Sequence, residues 1–301
     1  MIFNLGSINA DYFYDLPRLV GPGETLSATA MTTGLGGKGA NQSVAAALAG
    51  AEVCHIGAVG PDGDWAREAL RGFSVDVRHV RQSDVPTAHA IVMLDRHGEN
   101  QIVIFPGANL DQTPDAIAKA LVNGQPGDWL MLQNETSHQV DAAKLAQAHD
   151  MKIAYSAAPF EVEAVQAMLL YANLLIMNAV EAQQYEDETG EGLTKLPIDH
   201  LLITRGKDGA DWHDLRAGKT TLVPAFSVDT IDTTGAGDTF AGYVIAGLSK
   251  GLAVEQALGQ ASAAAAISTT KKGTADAIPD LDTVLEFLSA QDANGALDPH
   301  S

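Results

Sequence analysis

The chain of 301 residues is 46% hydrophobic and 6% aromatic, so it can bury a sizeable core and is globular rather than disordered. Its formal net charge is −20, which argues against nucleic acid and anionic membranes as partners, because both repel an acidic surface. The single cysteine, Cys54, excludes an internal disulfide. No basic, signal-like segment opens the chain, and no apolar run approaches the roughly 18 residues of a membrane span. We therefore expect a cytoplasmic protein.

Short apolar segments alternate with amphipathic ones along most of the chain. The predicted strands are Ile2–Ser7, Val53–Val59, Trp129–Gln133, Lys152–Ser156, Leu174–Asn178 and Leu201–Thr204. The predicted helices are Asn41–Ala49, Asp64–Gly72, Ala116–Val122, Val140–Ala148, Val162–Tyr171, Ala179–Glu188 and a further one from Thr239 onward that stops at Gly251. Buried strands separated by helices predict an α/β fold with a doubly wound, mostly parallel sheet.

Two regions, 11–33 and 86–105, lack helical periodicity and instead alternate between polar and apolar residues, as strands of a small separate sheet do. Such a sheet is not stable alone, so it must cover a ligand, a partner chain or both. We expect an α/β domain over 1–10, 34–85 and 106–291, a β lid over 11–33 and 86–105, and a frayed tail over 292–301.

The first motif is GLGGKGAN, Gly34–Asn41, which matches the G-x-G-x-x-G pattern of dinucleotide sites. Glu52 follows at about the right distance for the ribose-binding acid, but it precedes a predicted strand instead of ending one, which argues against NAD. The motif also does not fit the P-loop pattern. A glycine turn leading into a helix remains, with Lys38 and Asn41 three residues apart and able to meet one polar ligand.

The second motif, Asn9-Ala-Asp11, directly follows the first strand. Alternation along an extended segment puts Asn9 and Asp11 on the same side. An amide beside a carboxylate suits a polyhydroxy ligand, whose hydroxyls both donate and accept. An Asx turn is the structural alternative.

The third motif is DTTGAGDTF, Asp232–Phe240. Gly235, Ala236 and Gly237 allow successive backbone N–H groups to turn toward one anion at the start of a helix. Asp238 is a good helix cap, but no Glu or Gln follows three residues later to complete a capping box. The stretch therefore favours a phosphate or developing-anion site with a carboxylate beside it.

Together, GGKGANQ (Gly36–Gln42) and DTTGAGDTF resemble the two signature segments of the ribokinase/PfkB family of carbohydrate kinases. The stretches Ser7–Asp11 and Pro106–Asn109 are also similar to that family, and the resemblance extends from Gly6 to about Pro279. It implies a ribokinase-like fold with a small β-sheet lid and ATP-dependent phosphorylation of a sugar hydroxyl, with Mg²⁺ and a monovalent cation, K⁺. It also implies a homodimer formed through the lid.

The resemblance implies a role for each matching residue. Asp238 would be the catalytic base, and Gly235, Ala236 and Gly237 would form the anion hole. The sugar would be held by Asn9, Asp11, Gly37, Lys38, Asn41, Glu135 and Asp238. The nucleotide would lie against Asn178, Thr204, Gly206, Lys207, Asp208, Gly209, Gly237 and Ser262. Glu181 would organise magnesium-bound water, and the monovalent cation would be held by Asp232, Thr234, Ser268, Lys271, Gly273 and Ala277.

The acceptor that the resemblance favours is D-ribose, while deoxyribose, fructose or another ketose, and a nucleoside stay open. A non-catalytic sugar or nucleotide sensor on the same scaffold is a second hypothesis, which the intact anion loop and Asp238 argue against. An NAD-dependent oxidoreductase is the third.

Overall fold

A nine-stranded sheet with helices on both faces forms the centre of the structure, a computed structural model that describes residues 1–97 and 99–295. The strands are β1 (Ile2–Leu5), β2 (Asn9–Leu16), β3 (Ala30–Gly36), β4 (Val53–Val59), β5 (Asp76–Gln82), β6 (Ala88–Asp95), β7 (Asn100–Phe105), β8 (Trp129–Gln133), β9 (Lys152–Ser156), β10 (Leu174–Asn178), β11 (His200–Thr204), β12 (Ala210–Asp214) and β13 (Lys219–Val223). The helices are α1 (Lys38–Leu48), α2 (Asp64–Gly72), α3 (Pro114–Leu121), α4 (Gln139–Ala148), α5 (Val162–Met168), α6 (Ala179–Thr189), α7 (Ala236–Ser249), α8 (Val254–Ser268) and α9 (Leu281–Gly295).

The large sheet has the strand order β13-β12-β11-β10-β9-β8-β1-β4-β5. All neighbouring pairs from β11 to β5 are parallel, and only β12 and β13 at one edge are antiparallel. Successive side chains go to opposite faces, so Ile2 and Met131 belong to the apolar cluster that includes α1, α7 and α8, while Phe3, Leu5 and Leu132 belong to the cluster that includes α3 to α6. The predicted doubly wound α/β fold is confirmed.

A second sheet of four strands has the order β3-β2-β6-β7. Strands β2 and β6 are parallel, whereas β2–β3 and β6–β7 are antiparallel. The small separate sheet expected from the alternating pattern is therefore present. Its strands β2 and β3 lie between Asn9 and Gly36, so the residues of the first two motifs lie on these two strands or directly after them, in Gly37 and α1.

Several predicted boundaries need correction. Helix α1 begins at Lys38 and not at Asn41, because Gly37 (φ 92°) directly precedes it, so Lys38 and Asn41 both belong to the first turn of this helix. Helix α7 begins at Ala236, not at Thr239, because Gly235 takes a left-handed conformation (φ 75°) and starts the helix. Asp238 therefore lies inside the first turn instead of capping it. Helix α5 ends at Met168, short of the predicted Tyr171. Of the predicted frayed tail, 292–295 belong to helix α9, and 296–301 lie outside the described residues. No helix of the described residues has the length and apolarity that crossing a membrane requires.

Candidate active site

Part of the predicted site residues lies together at the carboxyl ends of the parallel strands, where open α/β sheets bind ligands. A cavity of about 150 Å³ opens there. It is lined by Lys38, Gln42, Ser156, Ala158, Ile176, Met177, Asn178, Glu181, Thr204, Gly235, Gly237, Asp238 and Ala241. A larger cavity of about 320 Å³ beside α4 and α5 contains none of the predicted residues, so it is the chemistry of the lining, and not its volume, that marks the site.

The N-terminus of α7 forms one wall of this cavity. Among the described residues no side chain caps this helix end, and the Ala236 N–H donates to the Thr233 carbonyl at 3.2 Å. A Cβ added to Gly237 would meet no atom of the described chain within 4 Å, so a ligand can approach the backbone there. The first-turn N–H groups of a helix lack intrahelical partners and attract anions. This wall is therefore suited to a phosphoryl group.

Asp238 is 8% exposed and is held by two amide side chains of α1. Asn41 Nδ2 donates to its Oδ2 at 3.3 Å, and Gln42 Nε2 donates to its Oδ1 at 3.0 Å. The pKa of Lys38 is raised, chiefly by the charge of Asp238 and then by Glu135 and Glu181. The charges of these three carboxylates therefore favour the protonated form of the Lys38 side chain. Sequence reasoning did not assign Gln42 to the site.

Three glycines of the first motif, Gly36, Gly37 and Gly39, leave no room for a side chain. A Cβ at Gly36 would lie 2.0 Å from Asp11 Oδ2, and one at Gly39 would lie 2.3 Å from Gly6 Cα. Gly37 has φ 92°, and its Cβ would lie 2.9 Å from the Ser7 carbonyl oxygen. The turn can therefore bring Asp11 and the start of α1 against the end of β1 only with glycine at these positions.

The carboxylates Asp11 and Glu135 lie beside this turn. Glu135 Oε2 accepts hydrogen bonds from the Lys38 N–H at 3.0 Å and from the Ser7 hydroxyl. Burial, followed by repulsion from Glu135, raises the pKa of Asp11 to about 7. Within the part of the chain that the structure describes, Asp11 Oδ1 has no hydrogen-bond partner. A buried acceptor without a donor is costly, so it is fitted to a ligand that supplies one.

Asn9 lies two residues before Asp11 on β2. Its Oδ1 accepts from Asn109 Nδ2 at 2.8 Å, and Asn109 Oδ1 in turn accepts from the Ile8 N–H at 2.9 Å. The orientation of the Asn9 amide is therefore fixed by a residue of the predicted Pro106–Asn109 motif.

Residues predicted to bind nucleotide follow β10 and β11, whose ends pair Asn178 with Thr204. Asn178 Oδ1 accepts from the Val180 and Glu181 N–H groups, and Glu181 Oε2 accepts from the Asn178 N–H at 2.8 Å. These bonds form a capping box at the start of α6, and both side chains also line the cavity.

The remaining predicted nucleotide residues are more dispersed. Gly206, Lys207 and Asp208 form an exposed 3₁₀ turn after β11, and Gly209 follows with φ 92°. The Ser262 hydroxyl of α8 donates to the Pro224 carbonyl at 2.7 Å and is not among the side chains that line the cavity.

The predicted cation residues form a loop cluster behind α7. Asp232 Oδ1 accepts from the N–H and the hydroxyl of Thr234, at 2.9 and 2.7 Å, and Asp232 Oδ2 accepts from the Gly273 N–H at 3.2 Å. Ser268 ends α8, the Lys271 N–H donates to its carbonyl at 3.3 Å, and Ala277 ends a short 3₁₀ helix. In residues 1–97 and 99–295, no three His, Cys, Asp or Glu side chains are grouped so that they could hold a metal ion.

A carboxylate in the first turn of a helix that opens with glycines, at the carboxyl edge of a doubly wound sheet, is suited to phosphoryl transfer, which requires positioning and charge stabilisation. The chain belongs to the pfkB family of carbohydrate kinases, whose profile, described as "pfkB family carbohydrate kinase", matches residues 1–281. The family resemblance is thereby confirmed, and the protein is a phosphotransferase with an alcohol group as acceptor.

Two curated relatives and one solved structure extend this result. The ribokinase of Haemophilus influenzae is 33% identical over 299 residues, which cover 94% of this chain and 97% of that protein. The ribokinase of Bacillus subtilis is 34% identical over 294 residues, with 95% and 98% covered. The structure of Arabidopsis thaliana ribokinase complexed with ribose and ATP has a TM-score of 0.83 at 28% identity, covering 95% of this chain and 98% of that one.

Proposed function

We propose that the protein transfers the γ-phosphoryl group of ATP to the primary hydroxyl of D-ribose, giving ribose 5-phosphate. The observation that carries this proposal is the position of Asp238 in the first turn of α7, next to the Gly235–Gly237 backbone and facing Lys38. The ribokinase names of the relatives and the ribose and ATP bound to the Arabidopsis protein support the choice of both substrates.

In this proposal Asp238 orients the attacking hydroxyl and accepts its proton. The first-turn N–H groups of α7 and the Lys38 ammonium stabilise the charge on the transferred group. Because the transition state of phosphoryl transfer is loose, alignment of the two oxygens in line matters more than a strong base.

On the sugar side, Asn9, Asp11, Asn41 and Glu135 offer amide and carboxylate groups to vicinal hydroxyls. The unpartnered Asp11 Oδ1 is the strongest single indication, since a sugar hydroxyl would supply the donor that the described chain does not. On the other side of α7, the strand ends at Asn178 and Thr204 and the turn Gly206–Gly209 would receive ATP.

The proposed cofactors besides ATP are Mg²⁺ and K⁺. Magnesium, when bound, neutralises phosphate charge, and Glu181 at the cavity would hold it through water. For K⁺, the proposed site is the Asp232 loop with its neighbours Gly273 and Ser268, whose carbonyls are of the type that binds hard cations.

The small sheet presents an apolar surface that suits a proposed homodimer. The side chains of Ile102, Val103, Ile104 and Phe105 on the edge strand β7 are all exposed. Contiguous exposed apolar side chains on a sheet edge favour burial against a second chain. A second copy pairing through this surface would bury them and fix the lid over the sugar.

The test measures ADP release with a panel of ribose, deoxyribose, fructose and nucleosides, each with and without K⁺. Wild-type protein is expected to turn over ribose fastest. Asp238→Asn should lower kcat by about three orders of magnitude while ATP still binds. The control is Asp280→Asn, an exposed aspartate whose Oδ1 accepts from the Thr283 N–H at the start of α9, and it should keep normal turnover. Near-normal kcat in Asp238→Asn would overturn the assignment of the base, and faster turnover of another acceptor would overturn ribose.

A further inference from the structure

Five polar side chains connect Asp238 to the interior of the protein. They are Gln42, Gln133, Asn4, Ser43 and His55, and each is at most 1% exposed. They come from α1, β8, β1 and β4, and we call them the polar chain. Burying so many polar groups is unfavourable unless they are hydrogen-bonded, and within the described residues Gln133 Oε1 alone of this set lacks a partner. The interior positions around β1 are otherwise apolar, so this set calls for an explanation.

The near half of the polar chain consists of two glutamines. Gln42 Nε2 donates to Asp238 Oδ1 at 3.0 Å, and its Oε1 accepts from Gln133 Nε2 at 2.8 Å. Gln133 Nε2 also donates to Asn4 Oδ1 at 3.0 Å. A rotated Gln42 amide would set its oxygen against the carboxylate and its NH₂ against the Gln133 NH₂, so only one orientation is favourable.

The far half fixes the direction of these bonds. Asn4 Nδ2 donates to the Ser43 hydroxyl oxygen at 2.8 Å and to the Gly39 carbonyl at 2.8 Å. The Ser43 proton must then point to His55 Nδ1, 2.8 Å away, which makes His55 Nε2 the N–H that donates to the Gly6 carbonyl at 3.1 Å. A carbonyl only accepts, so the last bond fixes the tautomer of His55 and, through Ser43 and Asn4, the orientation of every amide up to Asp238.

Burial lowers the pKa of His55 to about 4, so the ring is neutral and Nδ1 is an acceptor near neutral pH. The polar chain also links the backbone at Gly39 to the backbone at Gly6, because the carbonyls of both residues are among its acceptors. Its members therefore touch the backbone of the sugar-side turn at one end and the carboxylate of α7 at the other.

We propose that Gln42 and Gln133, anchored by Asn4, Ser43 and His55, are positioning residues that hold the Asp238 carboxylate in its reactive orientation. The inference rests on the proposed role of Asp238 as the base. Gln42 acts directly on the carboxylate, Gln133 acts only through Gln42, and the far three act through Gln133. Loss of a member allows the amides between it and Asp238 to rotate. The Asp238 carboxylate can then turn away from the sugar hydroxyl.

The experiment compares Gln42→Met, Gln133→Met and the double variant in the ADP-release assay. Gln42→Met should lower kcat about ten- to a hundredfold and Gln133→Met about three- to tenfold, with KM for ATP unchanged, since misplacement of a reacting group acts on turnover. Because Gln133 works through Gln42, the double variant should be no slower than Gln42→Met alone. Ser43→Ala should give a smaller loss of the same kind.

The matched control is Tyr243→Phe, in the same helix as Asp238. It removes a buried hydrogen bond to the Pro279 carbonyl without touching the polar chain. It should lower the melting temperature about as much as Gln133→Met does and leave kcat unchanged.

The outcomes separate this inference from the proposed function. Independent, multiplicative effects of the two glutamine variants, or wild-type kcat in both, would overturn the positioning role. A drop in kcat that Tyr243→Phe matches at equal loss of melting temperature would assign the effect to stability and overturn it as well. If Asp238→Asn itself kept its turnover, the base assignment would fail first. Should Gln42→Met prove insoluble, Gln133→Met and Ser43→Ala decide the question, since neither residue touches Asp238.

Discussion

Replacing Asp11 by asparagine should stabilise the protein while it weakens sugar binding. Asp11 is 8% exposed, its Oδ1 has no partner in the described chain, and burial with repulsion from Glu135 raises its pKa from 3.8 to about 7. The ionised form is therefore disfavoured in the folded state. An asparagine of the same shape removes the charge and retains one acceptor.

The size of the effect follows from linkage. A raised pKa in the folded state means that the wild type is favoured below about pH 3.8 and loses stability as the pH rises toward about 7. At 1.36 kcal/mol for each pKa unit, the loss reaches about 4 kcal/mol near pH 8 and is under about 1 kcal/mol near pH 4. Asp11→Asn should therefore gain about 2–4 kcal/mol at pH 8 after allowing for the buried amide, and almost nothing at pH 4.

The assay is urea unfolding of both proteins at several pH values between about 4 and 8, with and without ribose. Ribose should stabilise the wild type far more than Asp11→Asn, because only the carboxylate strongly needs the sugar's donor. Asp280→Asn serves as a control of opposite sign, since hydrogen bonds from Thr283 lower the pKa of Asp280 and its loss should destabilise the protein at neutral pH. A pH-independent difference between Asp11→Asn and wild type, or no gain at pH 8, would refute the reasoning.

Three further predictions concern the same region. Lys38→Met should reduce kcat about a hundredfold in the ADP-release assay, because it removes the cation that lines the cavity with Asp238 and is proposed to stabilise the transferred group, and an unchanged kcat would contradict this role. The pKa of His55 is lowered from 6.5 to about 4, so the wild type loses about 3 kcal/mol as the pH falls through this window. Urea unfolding of His55→Met should show a shallower pH slope there, whereas an equally steep one would assign the slope to other groups. Gly39→Ala should lower the melting temperature sharply, since its Cβ would lie 2.3 Å from Gly6 Cα, while a wild-type melting temperature would mean that the turn can open.

The parts of the site that the sequence predicts are those with local causes. A positive-φ glycine or a carboxylate next to a glycine turn leaves its mark within a few residues, as at Gly37 and Gly235. The resemblance of both signature segments then supplied the family, which the profile match confirms. The predicted start of α7 at Thr239 is wrong. It treats Asp238 as the residue that caps the helix, which Asp often does. In the structure Gly235 precedes the helix in a left-handed conformation, so Asp238 lies in the first turn and lines the cavity.

The parts that the sequence did not predict depend on long-range contacts or weak periodicity. Gln42 and Gln133 are 91 residues apart and meet only when β8 and α1 pack together. Strand β5, Asp76–Gln82, is an edge strand that buries only Val77 and Val80 and carries charged residues among its other positions. Its sequence therefore lacks the apolar run that predicts a buried strand. Strands β12 and β13, the antiparallel pair at the opposite end of the sheet, also bury few side chains, and the sequence pattern does not predict them.

The two aspartates of the site are equally buried, and the fold treats them in opposite ways. Asp238 receives two amide donors, and its charge is matched by Lys38, so its orientation is set before any substrate arrives. Asp11 instead has an oxygen without a partner in the described chain and a second carboxylate nearby, so its ionised form is stabilised only when a ligand donates to it. A group that must react benefits from a fixed position, whereas a group that must recognise a polyhydroxy ligand gains selectivity when the unbound state is unfavourable. The buried, unpartnered Asp11 oxygen therefore favours ligands with a hydroxyl that can donate to it. A sugar that lacks this hydroxyl would leave the Asp11 carboxylate both buried and without a donor.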